Sequence, residues 1–345
     1  MPCTRTELAK ALASQPRMPL ASLPTPLVYA ARFSAAVGGD VWLKRDDLTG
    51  LALGGNKARK IEYLFGEAAG AGRVDTVVTV GAPQSNHART VAAAARLAGW
   101  DCHLVLGGER PERPSGNLVL DVALEAELHF AGTDDWSELE MTARELAARL
   151  EAAGKHTLMI PMGGSTPVGA LGFVGAYLEL LDQLDERGVG ASSIIHATST
   201  GGTQAGLDYA HRVLAEGPDV VGVGVAKTQT DLTRDVTALA EGLTAILGFE
   251  PGIITPTVLP GYLGEAYAQP TPGGQQAFAL LARTEAVITD SVYSAKGLHA
   301  VVDVAKDTGG PVVFWHTGGI PALFSDTAGI TDWNEHAATP SPVRQ

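Results

Sequence analysis

The sequence has 345 residues, 45% of them hydrophobic and 18% charged, with a net charge of −13 and a pI of about 5.1. That composition is globular, and its acidity argues against nucleic acid or an anionic membrane as a partner. The length exceeds what one small core organises, so two domains are expected. Cys3 and Cys102 give no disulfide framework and fit a reducing compartment. No Cys and His spacing of metal-ligand type occurs. The N-terminus has no long apolar run, so neither a signal peptide nor a membrane span is expected, and the cytoplasm is the expected location.

In chain order, residues 1–20 read as a surface helix and loop. Leu23-Pro24-Thr25-Pro26-Leu27 is an extended connector, because each proline pushes its predecessor out of the helical region. Val41 to Arg45 reads as a strand. After Gly54-Gly55-Asn56, the residues Ile61, Leu64, Phe65 and Ala68 fall at helical spacing and define one core face. Asn56 is the expected N-cap, which places Lys57 in the first turn. Thr76 to Val80 is a strand of buried type, and Ser85 is placed to cap an Ala-rich helix ending at Ala98. Further on come a strand at Cys102–Leu106, helices at Leu118–Leu128 and Asp134–Ala153, and a strand at Leu158–Ile160.

A Gly-rich break follows at 163–169. Then come a helix from Ala170 to about Arg187, a strand at Ser193–Ala197 and a helix starting near Gly202. Val220–Ala226 reads as strand and Asp231–Leu247 as helix. The Pro- and Gly-rich stretch 250–272 reads as irregular. A helix near 274–284, a strand at Ala286–Thr289, a helix at Ser294–Lys306 and a strand at Val312–Trp315 complete the series. Alternation of this kind predicts an α/β fold: two open, twisted, mostly parallel sheets with helices on both faces. Ligands in such folds sit beyond the carboxyl ends of strands.

Lys57 is unusual for a first-turn residue, where the helix dipole favours negative charge. Lys44, Arg45, Arg59 and Lys60 are close in sequence and are expected to lower its pKa. A neutral amine is what attacks a carbonyl, so Lys57 is a candidate Schiff-base lysine beside the plain reading of a solvated cation. Thr198-Ser199-Thr200-Gly201-Gly202-Thr203 joins a strand to a helix, where backbone amides, hydroxyls and the helix N-terminus suit a phosphate. It is neither a Walker loop nor a dinucleotide fingerprint. Gln84-Ser85-Asn86-His87 opens another helix and suits a carboxylate. His87 alone reads as a helper or a satisfied ring rather than a base. Tyr293 sits near a strand tip, and Thr317 precedes Gly318-Gly319 where a ring nitrogen could be met. Singly, each of these also reads as a turn or packing residue. Together, a lysine and a phosphate loop at strand tips indicate pyridoxal phosphate.

With Pro24-Thr25-Pro26-Leu27, Lys44 to Gly50, Gly54-Gly55-Asn56-Lys57, Gln84-Ser85-Asn86, Gly201 to Gly206 and His316-Thr317-Gly318-Gly319 in order, the chain resembles the D-cysteine desulfhydrase and 1-aminocyclopropane-1-carboxylate (ACC) deaminase family. Those are fold-type II, tryptophan-synthase-β-like enzymes that use pyridoxal phosphate. The resemblance covers about 20–325. It implies a large cofactor-binding domain of 1–59 with 166–345 and a small domain of 60–165.

By the same resemblance Lys57 carries the cofactor and moves the Cα proton. Asn86 meets the cofactor's phenolic oxygen, and Thr200, Gly201, Gly202 and Thr203 hold its phosphate. Ser85 grips the substrate carboxylate with Asn86 and His87 beside it, and Tyr267 and Tyr293 are the two active-site tyrosines. A homodimer acting on a small amino acid is implied.

ACC deaminases carry Glu where this chain has Ser294, and Leu where it has Thr317; desulfhydrase-like members use that Thr at the pyridine nitrogen. A carboxylate keeps that nitrogen protonated and the ring a strong electron sink, whereas a hydroxyl favours expulsion of a β-substituent. The expectation is therefore β-elimination, with D-cysteine giving pyruvate, ammonia and sulfide. ACC deamination is the first alternative. Other β-substituted substrates (cysteate, chloroalanine, serine), a biosynthetic β-replacement and a non-catalytic binding protein are the others. Ser291 and Ala295 stand where the family usually has Pro and Gly.

Overall fold

Two sheets, one of six strands and one of four, organise the computed structural model, which describes residues 2–265 and 268–325. The chain runs α1 (Arg5–Ala13), β1 (Leu27–Tyr29), α2 (Ala31–Val37), β2 (Val41–Arg45), α3 (Lys57–Ala71), β3 (Thr76–Gly81), α4 (Asn86–Ala98) and β4 (Asp101–Leu106). It continues through α5 (Asn117–Ala123), β5 (Glu127–Phe130), α6 (Trp136–Ala152), β6 (Thr157–Ile160), α7 (Pro167–Arg187) and β7 (Ser193–Thr198). The last elements are α8 (Gly202–Leu214), β8 (Asp219–Gly224), α9 (Gln229–Leu247), β9 (Thr257–Leu259), α10 (Pro272–Glu285), α11 (Ser294–Val304) and β10 (Val312–His316).

The six-stranded sheet has the order β1-β2-β10-β7-β8-β9 and the four-stranded sheet β5-β4-β3-β6. Every pairing is parallel except β1 with β2. The α/β expectation is met, with helices covering both faces. Residues 76–160 supply the whole small sheet, and the large sheet draws strands from both sides of that segment. Among the described residues no helix is long and apolar enough to cross a membrane.

The apolar stripe of α3 behaves as its spacing requires: Ile61, Leu64, Phe65 and Ala68 are buried against α4 and the small sheet. Each large side chain in such a position contributes about 1.5–3 kcal/mol. All six residues of β3 are buried, as a central parallel strand demands. Parallel packing points the carboxyl ends of β3, β7 and β10 into one cleft between the sheets, and the loops leaving them line it.

Several local expectations need correction. The helix expected over 118–128 stops at Ala123, because Glu125 has φ +55° and the chain turns into β5. No strand forms at 286–289; the Ile288 carbonyl meets the His316 Nε2 at 2.8 Å rather than a neighbouring strand. The irregular 250–272 stretch contains the short strand β9, and β1 and α2 were not anticipated.

Candidate active site

Lys57 opens α3 at the floor of the cleft. Asn56 before it does not cap the helix; its backbone is already helical, at φ −61° and ψ −19°. Its side chain instead donates from Nδ2 to Thr203 Oγ1 at 3.0 Å and accepts from Lys57 Nζ at 2.9 Å. Asn56 thus ties the lysine to the start of α8.

The Lys57 amine is pushed down to about 8, first by burial, then by the Arg89 guanidinium, with Asp290 opposing. The depression agrees with expectation, but the cause is corrected for Lys44, Arg45 and Arg59. Arg59 is paired with Asp46 and Glu179, Lys44 with Glu179, and Arg45 with Asp47. Their charges are answered locally. Arg89 is buried and donates to the carbonyls of Ala52 and Gly54, which places a cation near Lys57.

Thr198 to Thr203 link β7 to α8 at the far wall. Gly201 has φ +80°, a conformation that favours glycine, and it presents the N-terminus of α8 to the cleft. A Cβ on Gly202 would stand 2.7 Å from Ser165 Oγ and 2.9 Å from Lys60 Nζ, so bare backbone is needed there. Lys60 Nζ donates to the Gly163 carbonyl and to Ser165 Oγ, each at 3.2 Å, and Ser165 Oγ meets Thr200 Oγ1 at 2.6 Å. Burial and Lys57 hold the Lys60 amine well below its ordinary value. An amine with only neutral partners, facing a helix N-terminus and bare glycine, suits a phosphate group.

On the small-sheet side, Ser85 accepts from the Ala88 amide at 3.1 Å, capping α4 as expected. Asn86 Oδ1 accepts from Asn117 Nδ2 at 3.1 Å, which leaves the Asn86 amide N–H groups as its free donors. Thr79 Oγ1 gives its proton to the Ile160 carbonyl at 2.8 Å, so His87 Nε2, also 2.8 Å from that oxygen, is the donor between them. His87 Nδ1 then carries a buried lone pair with no hydrogen-bond partner. Burial, Lys57 and Lys60 all hold this ring well below the usual imidazole value, so it is neutral.

The third wall comes from the turn before α11 and the end of β10. Asp290 is buried, and its carboxylate accepts from the amides of Val292, Tyr293 and Ser294 at 2.9, 2.6 and 2.7 Å. Tyr293 and Thr317 line the cleft. Ser294 Oγ lies 3.2 Å from Thr317 Oγ1.

Lys57, Ser85, Asn86, His87, Thr200, Gly201, Thr203, Tyr293 and Thr317 therefore share one cleft, which holds about 810 Å³ of atom-free space with its open mouth included. Gly202 adjoins it through Lys60. Tyr267 lies outside the described residues. Sequence reasoning missed Lys60 as a cleft group, although its i+3 spacing from Lys57 puts both on one helix face. It also missed Asn117, whose contacts with Gln84 and Asn86 depend on tertiary structure, and the role of Asp290, whose contacts with the next amides are local and follow from an Asp placed at a turn. A depressed, half-buried amine, a glycine-bounded phosphate cradle and amide and hydroxyl donors fit pyridoxal phosphate.

Residues 19–318 match the family described as pyridoxal-phosphate dependent enzyme. A Pyrococcus furiosus protein, provisionally named 1-aminocyclopropane-1-carboxylate deaminase, is 38% identical over 91% of this chain and 94% of its own. The D-cysteine desulfhydrase of Klebsiella pneumoniae is 38% identical over 90% of this chain and 96% of its own. A crystal structure titled as an ACC deaminase homologue superposes with a TM-score of 0.87 at 36% identity, covering 92% of this chain and 96% of that one. The chain belongs to the pyridoxal-phosphate dependent enzymes, in the group of ACC deaminases and D-cysteine desulfhydrases. It is a pyridoxal phosphate-dependent lyase or deaminase.

Proposed function

We propose that the enzyme removes a β-substituent from a small amino acid, with D-cysteine plus water giving pyruvate, ammonia and sulfide. The observation that carries this is the hydroxyl pair at Ser294 and Thr317, 3.2 Å apart, in place of a carboxylate. Pyridoxal phosphate, when bound, supplies an electron sink for the pair left on Cα once its proton is removed.

The chain's own residues do the rest. Lys57 holds the cofactor and its amine, depressed to about 8, accepts the Cα proton near neutral pH. Thr200, Gly201, Gly202 and Thr203 hold the phosphate together with Lys60. Asn86 would donate to the ring's phenolic oxygen, and Thr317 would meet the ring nitrogen. Ser85 and the first amides of α4 orient the substrate carboxylate, with His87 behind them as a neutral ring. Tyr293 and Tyr267 serve proton transfer near the leaving group. The reading divides the chain into a large domain of 1–59 and 166–345 and a small domain of 60–165, with the cleft between them. It also carries a homodimer in the cytoplasm, of which sedimentation of the holoenzyme checks the assembly.

The second reading, ring opening of the cyclopropane amino acid to 2-oxobutanoate and ammonia, is favoured by the names of the Pyrococcus protein and the crystal structure. A panel of D- and L-amino acids with the cyclopropane substrate, scored for pyruvate, 2-oxobutanoate, ammonia and sulfide, separates the two. Sulfide and pyruvate from D-cysteine, with little 2-oxobutanoate, is the expected result. The reverse pattern overturns it.

A further inference from the structure

Away from the cleft, three potential ligands converge on the small sheet. The β4–β5 register sets His103 beside Glu127 and Val105 beside His129. Alternation along β5 brings Glu127 and His129 to the same face, and His103 joins them there. His103 Nδ1 is 3.1 Å from His129 Nε2 and 3.4 Å from Glu127 Oε2, while His129 Nε2 is 3.6 Å from Glu127 Oε1. The two rings stack with centroids 5.3 Å apart.

A hydrogen bond alone does not account for this arrangement. His103 Nδ1 faces both a ring nitrogen and a carboxylate, and one N–H cannot serve both well. A single ion satisfies all three groups. A tetrahedral ion with bonds of about 2.0–2.1 Å separates its ligand atoms by roughly 3.3–3.4 Å. The separations of His103 Nδ1 from His129 Nε2 and from Glu127 Oε2, 3.1 and 3.4 Å, bracket that value, and the other carboxylate oxygen, Oε1, lies 3.6 Å from His129 Nε2.

We propose that His103, Glu127 and His129 bind a late first-row divalent cation, zinc(II) first, at a site separate from the catalytic cleft. Two imidazoles and one carboxylate are a ligand set such ions favour. The Glu127 side chain is 65% exposed and that of His129 28%, so the ion enters from solvent and solvent completes its shell. His103 and His129 are 26 residues apart on different strands, a separation in which no metal-ligand spacing can be read. Bound there, the ion ties the edge strand β5 to β4.

The test uses chelator-treated holoenzyme, dialysed against micromolar zinc(II) and analysed for metal, with cobalt(II) absorption as the geometric readout. Cys3→Ser removes the partly exposed thiol as a stray ligand. One equivalent per chain, tetrahedral cobalt bands and a zinc-dependent rise in Tm are expected. His129→Ala loses the equivalent, and Glu127→Gln, at an exposed position that leaves folding intact, weakens binding at least tenfold. Cofactor absorbance and circular dichroism stay unchanged in both. Substoichiometric binding by the parent chain, or variants that bind as it does, overturns the proposal.

Discussion

Ser294 Oγ and Thr317 Oγ1 lie 3.2 Å apart, and Ser294 also donates to the Gly318 carbonyl at 2.7 Å. A serine hydroxyl has one proton, so in this arrangement the Thr317 hydroxyl is the donor between the two. Residues from the start of α11 and the loop after β10 thus form a pair with no formal charge. A ring nitrogen facing them would meet hydroxyls rather than a carboxylate, and would accept the hydrogen bond that Thr317 otherwise gives to Ser294.

Removing the Thr317 hydroxyl tests that relationship. Thr317→Val keeps the shape and deletes the hydrogen bond, worth about 1–1.5 kcal/mol, or roughly tenfold in rate. We expect about a tenfold lower kcat/KM for β-elimination with the cofactor still bound. Ser294→Glu combined with Thr317→Leu is expected to lower sulfide release and raise 2-oxobutanoate from the cyclopropane substrate. Steady-state assays of both products decide; wild-type kinetics in Thr317→Val would remove the hydroxyl from the argument.

The depressed Lys57 amine gives a pH signature. Cofactor capture requires the neutral amine, whose fraction rises with pH and reaches half at about 8 rather than at the ordinary 10.5. The second-order rate of cofactor uptake by apoenzyme is therefore expected to climb up to pH 8 and flatten above it. Lys57→Ala should give no imine absorbance and no turnover above background. A capture rate still climbing tenfold per unit at pH 9.5 would show an unperturbed lysine.

The α3 stripe, the parallel alternation and the glycine cradle were legible because each is local: periodicity and turn chemistry need no distant partner. Asn56 was misread as a cap because cap preference cannot register Thr203, 147 residues away, as a competing partner. Three of the cations thought to crowd Lys57, namely Lys44, Arg45 and Arg59, were misread likewise; neither Glu179 nor Asp46 announces in sequence that it neutralises Arg59. β5 was hidden because its apolar residues continue the helical spacing of α5, and only the left-handed turn at Glu125 separates them. At 286–289 the composition favours strand, but a strand needs a free sheet edge, and here the Ile288 carbonyl is taken by His316.

Lys60 supplies a third test. Among the described residues its hydrogen-bond partners are a carbonyl and a hydroxyl, so a bound phosphate would add a charged one. Lys60→Met keeps the buried stem and removes a charge-assisted hydrogen bond worth about 2 kcal/mol, or roughly thirtyfold in affinity. Titration of pyridoxal phosphate into apoenzyme should show that weakening. The spectrum at saturation should remain that of the parent, since Lys57 is untouched. Unchanged affinity would place the phosphate elsewhere.

Asp290 joins stability to chemistry. Its carboxylate accepts three amides that fix the turn carrying Tyr293 and Ser294. Asp290→Ala leaves those N–H groups unpaired in a buried turn, which costs about 3 kcal/mol. Denaturant unfolding of the apoenzyme measures it. The same substitution acts on Lys57 from a distance. Asp290 now stabilises the protonated amine, so its loss should move the Lys57 pKa below 8 and shift the capture profile toward acid. A purely structural role predicts the stability loss alone, with the midpoint unmoved. The combination of a weaker fold and an acid-shifted profile is what the geometry requires.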